Sequence, residues 1–297
     1  MPRKFYADCV ACLMQASLKK IDDIQDEALR YEYMQGVCRI MLEMDFEKES
    51  SPVADARIAC LRRDLLGRDD DYTEIKHYYN GLIMQLYPQL QAKVRESADP
   101  LRAAIQLAAA GNYIDFGMLN DVNPERLLEL MDEVAEKPVS DAEYAQLRAD
   151  LSAARTLAYL HDNCGEVALD KLLIETIRAE YPQLHVLSVV RERPILNDAT
   201  VEDAEEIGLF DVAEVIRNGI PDLPGTLIGE LPAEVLARLR AADVLIAKGQ
   251  GNFESMAGCG LNMYYLFLAK CPSYSKWFGF ERFSAVLQND RRLQQKY

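Results

Sequence analysis

Histidine is scarce in this chain. His77, His161 and His185 are the three, and their positions show none of the spacings by which histidines grip a metal. Long apolar runs are missing as well, so no segment is expected to cross a bilayer, and Met1-Pro2-Arg3-Lys4-Phe5 is not followed by a signal-type apolar stretch. The expected location is the cytoplasm, with no membrane partner. Basic residues are the minority, 33 against 48 acidic, for a net charge of −15. No local basic patch offsets that balance, which argues against nucleic acid as a partner. Internal repeats and low-complexity tracts are absent. The seven cysteines are odd in number, and without a secretion signal they read as reduced thiols rather than a disulfide framework. Cys9-Val10-Ala11-Cys12 is a CxxC without the second pair that zinc generally needs. Cys38 and Cys60 would complete a set only if the fold brought them close, and buried helix cysteines are the plainer reading.

What is present can build a core: 297 residues, 49% of them hydrophobic, suffice for one large core or two modest ones. Up to about residue 98 the apolar period is helical. Leu18, Ile21, Ile24 and Ala28 form one stripe, and Ile75, Tyr79, Leu82 and Leu86 another. Glu47-Lys48-Glu49-Ser50-Ser51 with Pro52 reads as a loop, and Asp69-Asp70-Asp71 as a solvated turn. After the punctuation at Ser97-Ala98-Asp99-Pro100, a helix over Leu101–Ala110 is closed by Gly111. Asn123-Pro124 opens a helix carrying Leu127, Leu128, Met131 and Val134, and Ser140 with Glu143 forms a capping box for the next. From residue 155 strand-like runs alternate with helices: 156–160, 185–190, 212–216, 244–247 and 263–269. That alternation implies an α/β fold with a parallel sheet and right-handed crossovers. The expected division is an all-helical lobe over 1–98 and an α/β domain over 99–297, together one compact unit.

Asp162-Asn163-Cys164-Gly165-Glu166 lies where the first strand gives way to a helix, the place where open α/β sheets bind ligands. Gly165 would let backbone approach a ligand closely, and the helix start offers amides to an anion. An Asx turn or helix cap accounts for these five residues equally well. Company strengthens the functional reading, because Asn197 and Asp198 follow the second strand and Lys248 and Asn252 the fourth. All would converge at the carboxyl edge of the sheet. Asp162, Asn163 and Asp198 are hard oxygen donors suited to magnesium or manganese, and the set also admits another divalent transition ion. Lys248 opens Lys248-Gly249-Gln250-Gly251-Asn252, a glycine-containing loop before a helix, and would act as a point charge on phosphate. It is not a Walker motif, since the lysine precedes the glycines. A methyltransferase is disfavoured too, for want of a glycine-rich loop after the first strand.

Four blocks in order carry a resemblance: Gly111-Asn112 through Asp115-Phe116-Gly117, Asp162 to Glu166, Arg193-Pro194-Ile195-Leu196-Asn197-Asp198-Ala199-Thr200, and Lys248 to Glu254. They resemble the signature blocks of the damage-control phosphatase family, long catalogued as domain of unknown function 89, in its compact archaeal and bacterial branch. The likeness runs from Cys9 to about Cys271. It implies a metal-dependent phosphatase acting on small phosphorylated metabolites, with a helical lobe over a Rossmann-like α/β/α core. It places the metal on Asp162, Asn163 and Asp198, and the substrate beside Lys248 and Asn252. Asn112 and Asp115 would support the site, and Glu166 would orient a water or ligand or simply favour the helix start by charge. Cys164, where alanine is common, Glu192-Arg193, where glycines are, and Ser275-Lys276-Trp277-Phe278 depart from the pattern. The expected chemistry is phosphoryl transfer to water, assisted by the metal and Lys248, with Asp162 and Asp198 as the catalytic carboxylates. Direct attack by one of those aspartates is the chemical alternative. A module that binds a phosphorylated metabolite without turnover is the functional one.

Overall fold

A computed structural model describes residues 5–67, 71–111, 128–129, 132–133 and 138–295. The block Asn112–Gly117, nearly all of the helix expected after Pro124, and Asp69-Asp70 lie outside them.

Three helices open the chain: α1 (Ala7–Lys19), α2 (Glu27–Glu43) and α3 (Ser51–Leu66). They close on their own small core of Phe5, Ile21, Tyr33, Val37 and Ile58. The stripe from Leu18 to Ala28 is broken, because the Asp26 carboxylate accepts the amides of Ala28 and Leu29 and caps α2 there. Next, α4 (Thr73–Glu96) and α5 (Pro100–Gly111) follow. Their apolar faces join the main core rather than that of the first three helices: Tyr79, Ile83, Ile105 and Ala109 pack in the same cluster as Tyr159 and Leu169. After α6 (Asp141–Ala153) the α/β alternation begins. The Ser140 hydroxyl accepts the Glu143 amide at α6, but the Glu143 carboxylate does not return to close the expected box. It binds Arg292 and the backbone of Asn289 near the end of the described chain instead.

The sheet contains β1 (Thr156–Leu160), β2 (His185–Val190), β3 (Glu214–Arg217), β4 (Val244–Lys248), β5 (Met263–Leu268) and β6 (Ala285–Asn289), in the order β3-β2-β1-β4-β5-β6. All neighbours run parallel except β6, which pairs antiparallel with β5. Both faces are covered, as alternate residues of β1 show: Leu157 and Tyr159 join the core on one side, Ala158 and Leu160 that on the other. The first is closed by α4, α5 and α7 (Glu166–Glu180), the second chiefly by α9 (Ala233–Ala241), α10 (Gly249–Met256) and α11 (Pro272–Trp277). Between β2 and β3 lies the short α8 (Val201–Glu206). The chain leaves β1 toward β2 on one side and returns through β4 on the other. The gap between the carboxyl ends of β1 and β4 is therefore the topological switch point of the sheet.

Candidate active site

Residues after β1, β2 and β4 meet at that switch point around a cavity of about 320 Å³. Asp162, Asn163, Asn197 and Asp198 line it, as their positions at strand ends predict. Asn163 and Asp198 are bridged backbone to backbone, and the amide of Ala199 donates to the Asp162 carbonyl at 2.7 Å, so the two aspartates are stitched together by main chain. Asn163 donates its amide nitrogen to Asp162 Oδ2 at 2.8 Å and to Glu166 Oε2 at 3.1 Å. Its carbonyl oxygen is thus the atom it can offer a ligand. Gly249 lies against Asp162: a Cβ at this position would stand 1.8 Å from Oδ2.

Lys248, Glu166 and Asn252 do not face the cavity. The Lys248 ammonium is fully buried behind it, 2.6 Å from Glu166 Oε1, 2.5 Å from Asp170 Oδ1 and 2.9 Å from the Ala108 carbonyl. Asp170 also accepts from the Tyr159 hydroxyl and contacts His161 Nδ1 at 3.0 Å. Lys248 keeps its ammonium form although burial opposes the charge, because Asp170 and Glu166 raise its affinity for the proton. Asn252 holds the loops in register, donating to the His161 and Lys248 carbonyls and accepting from Thr226. The glycine-containing loop expected after Lys248 is the first turn of α10, with Lys248 as its N-cap. Gly165 likewise approaches Tyr79 of α4, not the cavity. Its amide donates to Asn80 Oδ1 at 2.6 Å, and Asn80 donates in turn to Asp203 and Glu206.

Three further residues join the site, none of which the sequence assigned a role. Arg191, 3% exposed, joins the aspartates: its Nε donates to Asp198 Oδ2 at 2.5 Å, and its Nη2 stands 3.6 Å from Asp162 Oδ1. Lys270 and Glu254 also line the cavity. Burial pushes the Glu254 carboxyl up to about 7, even though the Tyr274 hydroxyl donates to it. No motif spacing flags Arg191, only its place one residue past β2.

Burial raises the affinity of Asp162 for a proton well above the carboxylate norm, and Asp198 and Glu166 add to the effect. Burial does the same to Asp198, against the pull of Arg191. Arg191 ion-pairs with Asp198 and approaches Asp162, Lys248 ion-pairs with Glu166 and Asp170, and none of the four carboxylates is more than 8% exposed. Burial of this much negative charge favours a proton or a cation beside it. Two carboxylates and an amide oxygen at a crevice are donors for a hard divalent ion, so the residues fit the group the sequence implies. Among the described residues no group of three or more His, Cys, Asp or Glu side chains is disposed to hold a metal. Asp162 and Asp198 are two such side chains, and the third residue the sequence implies, Asn163, carries an amide. The four-cysteine set is not formed among the described residues, and Cys12 and Cys38 are exposed free thiols.

A doubly wound sheet with acidic and amide side chains at its switch point defines a class of small-molecule binding α/β proteins. The particular family follows from comparison with known proteins. Residues 5–286 match the damage-control phosphatase ARMT1-like domain, and the chain belongs to that family. It is 29% identical over 277 residues to damage-control phosphatase PH1575 of Pyrococcus horikoshii, covering 92% of this chain and 93% of the relative. A damage-control phosphatase of Archaeoglobus fulgidus is also 29% identical over 277 residues, covering 91% of this chain and 94% of its own. The crystal structure of the Pyrococcus horikoshii protein, described as a DUF89 family protein, superposes with a TM-score of 0.82 at 27% identity over 96% of this chain and 98% of that one. Membership supports a phosphatase role on small metabolites. No helix among the described residues is long and apolar enough to cross a membrane.

Proposed function

We propose that this chain hydrolyses phosphomonoesters of small metabolites with a magnesium or manganese ion held by Asp162, Asn163 and Asp198. One observation carries the reading: two buried aspartates, with the Asn163 amide beside them, line the switch-point cavity of a chain in a phosphatase family. When bound, the ion supplies positive charge that offsets the phosphoryl oxygens and favours attack by water. Asp162 is held for this task, its Oδ2 fixed by the Asn163 amide and pressed against Gly249. A carboxylate so fixed suits a ligand better than a nucleophile that must advance on phosphorus. Arg191 keeps Asp198 in place and contributes fixed positive charge beneath the reacting group. Lys270, which lines the cavity, meets the phosphoryl oxygens as a point charge. Glu254, which takes up a proton near neutrality, gives it to the departing oxygen. Lys248 acts from behind, holding Glu166 and, through it, Asn163.

The test is Asp162→Ala, checked for folding, assayed for phosphate release from a generic aryl phosphate with each ion and with chelator. Abolished turnover is expected; a folded variant that retains it would sink the metal assignment. Wild-type protein that binds phosphorylated metabolites tightly and turns none over would favour the binding module.

A further inference from the structure

A second cavity of about 220 Å³ adjoins the first, and Leu196 lines both. The segment that separates them is the turn after β2. Its ends are fixed where the Asp198 amide donates to the Ile195 carbonyl and the Cys164 amide to the Asn197 carbonyl. Between those anchors Leu196 adopts φ +46, the left-handed region that a branched, apolar residue rarely enters. Such strain is stored where the surrounding structure over-determines it, often beside a ligand. The far wall of the second cavity is the start of α4, with Thr73 and His77 one helical turn apart on the same face and Lys76 beneath them.

We propose that the second cavity receives the part of the phosphomonoester distal to phosphorus, lying across Leu196, and that Leu196, Thr73 and His77 select among leaving groups. The inference rests on the phosphatase reading of the first cavity and names the substrate class it admits. Lys76 is buried, and its ammonium is committed to Asp203 at 2.6 Å. Asp71, Glu202 and Asp203 outnumber it, so a second phosphate or a carboxylate on the substrate meets repulsion there. The hydroxyl of Thr73 and the apolar surfaces of Pro194 and Leu196 suit an uncharged tail bearing a hydroxyl or amide. Binding of such a tail aids the reaction at phosphorus, since contacts remote from the reacting centre hold the ester in place.

The experiment uses a ladder of esters: ethyl phosphate, and alkyl phosphates of four to eight carbons ending in either a hydroxyl or a carboxylate. For the wild type, kcat/KM is expected to rise with length for the hydroxyl series and to lose that gain for the carboxylate series. Thr73→Trp fills the second cavity from an exposed helical position, and thermal melting checks its fold. The ratio of kcat/KM for the longest hydroxyl ester to that for ethyl phosphate should fall at least tenfold, chiefly through KM. Leu196→Gly, which suits the left-handed backbone, removes the partition and should raise the ratio of branched to straight esters at least threefold. An unchanged length profile in folded Thr73→Trp overturns this inference alone. Failure of the wild type to hydrolyse any rung, ethyl phosphate included, overturns the phosphatase reading and this inference with it.

Discussion

Gly249→Ala isolates the geometry of the proposed metal ligand from the stability of the fold. The φ of Gly249 is +77, and its missing side chain leaves the space that Asp162 occupies. An alanine Cβ would stand 1.8 Å from Asp162 Oδ2 and 2.1 Å from its Cγ, while real Cβ atoms keep at least 3.0 Å, so the carboxylate must retreat by more than 1 Å. Misplacing a reacting group by that distance costs roughly 100-fold in rate. The left-handed backbone adds a penalty of roughly 1–2 kcal/mol for any residue with a Cβ. Gly260 separates the two effects, because it shares the φ of +77 but has nothing within 4 Å of its would-be Cβ. Gly260→Ala should therefore lose stability in a urea titration by roughly 1–2 kcal/mol and keep its activity. Gly249→Ala should lose at least as much stability, and phosphate release from an aryl phosphate should drop about 100-fold. Wild-type turnover in Gly249→Ala, or an equal loss in both variants, would refute the claim that this contact sets the position of Asp162.

Lys248→Met leaves Glu166 and Asp170 buried without their countercharge and should cost about 3–5 kcal/mol in chemical denaturation; undiminished stability with lost turnover would instead place Lys248 on the substrate. For Glu254, the folded protein holds the proton more tightly than the unfolded chain does. Its contribution to stability is full below about 4.5 and lost as pH rises to about 7, and Glu254→Gln should flatten that part of the stability profile. The same variant should slow alkyl phosphates more than p-nitrophenyl phosphate, whose leaving group needs no proton; equal slowing would remove Glu254 as the acid. Magnesium or manganese should stabilise the wild type by mass action, by about 2.7 kcal/mol at 100 times Kd, read as a higher melting temperature, and Asp162→Asn should lose that shift.

The existence and parallel direction of the central strands were legible because each is a short apolar run covered on both faces, followed by turn residues and an amphipathic helix. β6 was not, since Ala285-Val286-Leu287-Gln288-Asn289 is an edge strand whose partner and antiparallel direction depend on β5, not on its own pattern. The first helical stripe misled for a related reason. A period of 3.6 continues through residues 18–28, but a side-chain cap at Asp26 is the stronger local signal. At the site, strand-end position brought Asp162, Asn163 and Asp198 to one cavity. It could not tell which strand-end residues face the cavity and which face the layer behind it. Lys248 ends β4 as Asp162 follows β1, yet its long side chain runs under α7 to Asp170. Which way a lysine turns is set by the carboxylates it meets, and those lie 78 and 82 residues away.

That division into two charged layers also constrains what the cavity can hold. Behind it, Lys248 is matched by Glu166 and Asp170, with His161 within reach of Asp170. In front, Arg191 pairs with Asp198 and approaches Asp162, and Lys270 lines the same cavity. Burial raises the affinity of both aspartates for a proton in spite of Arg191, so the charge there calls for a proton or a cation beside it. Protonated aspartates would meet that need but would leave the oxygens of a phosphate ester to Arg191 and Lys270. A divalent cation would meet it too and leave coordination positions for those oxygens. On the proposed reading, the acidic character of the cavity, which alone would repel a phosphate, would make it suitable for one with the ion in place.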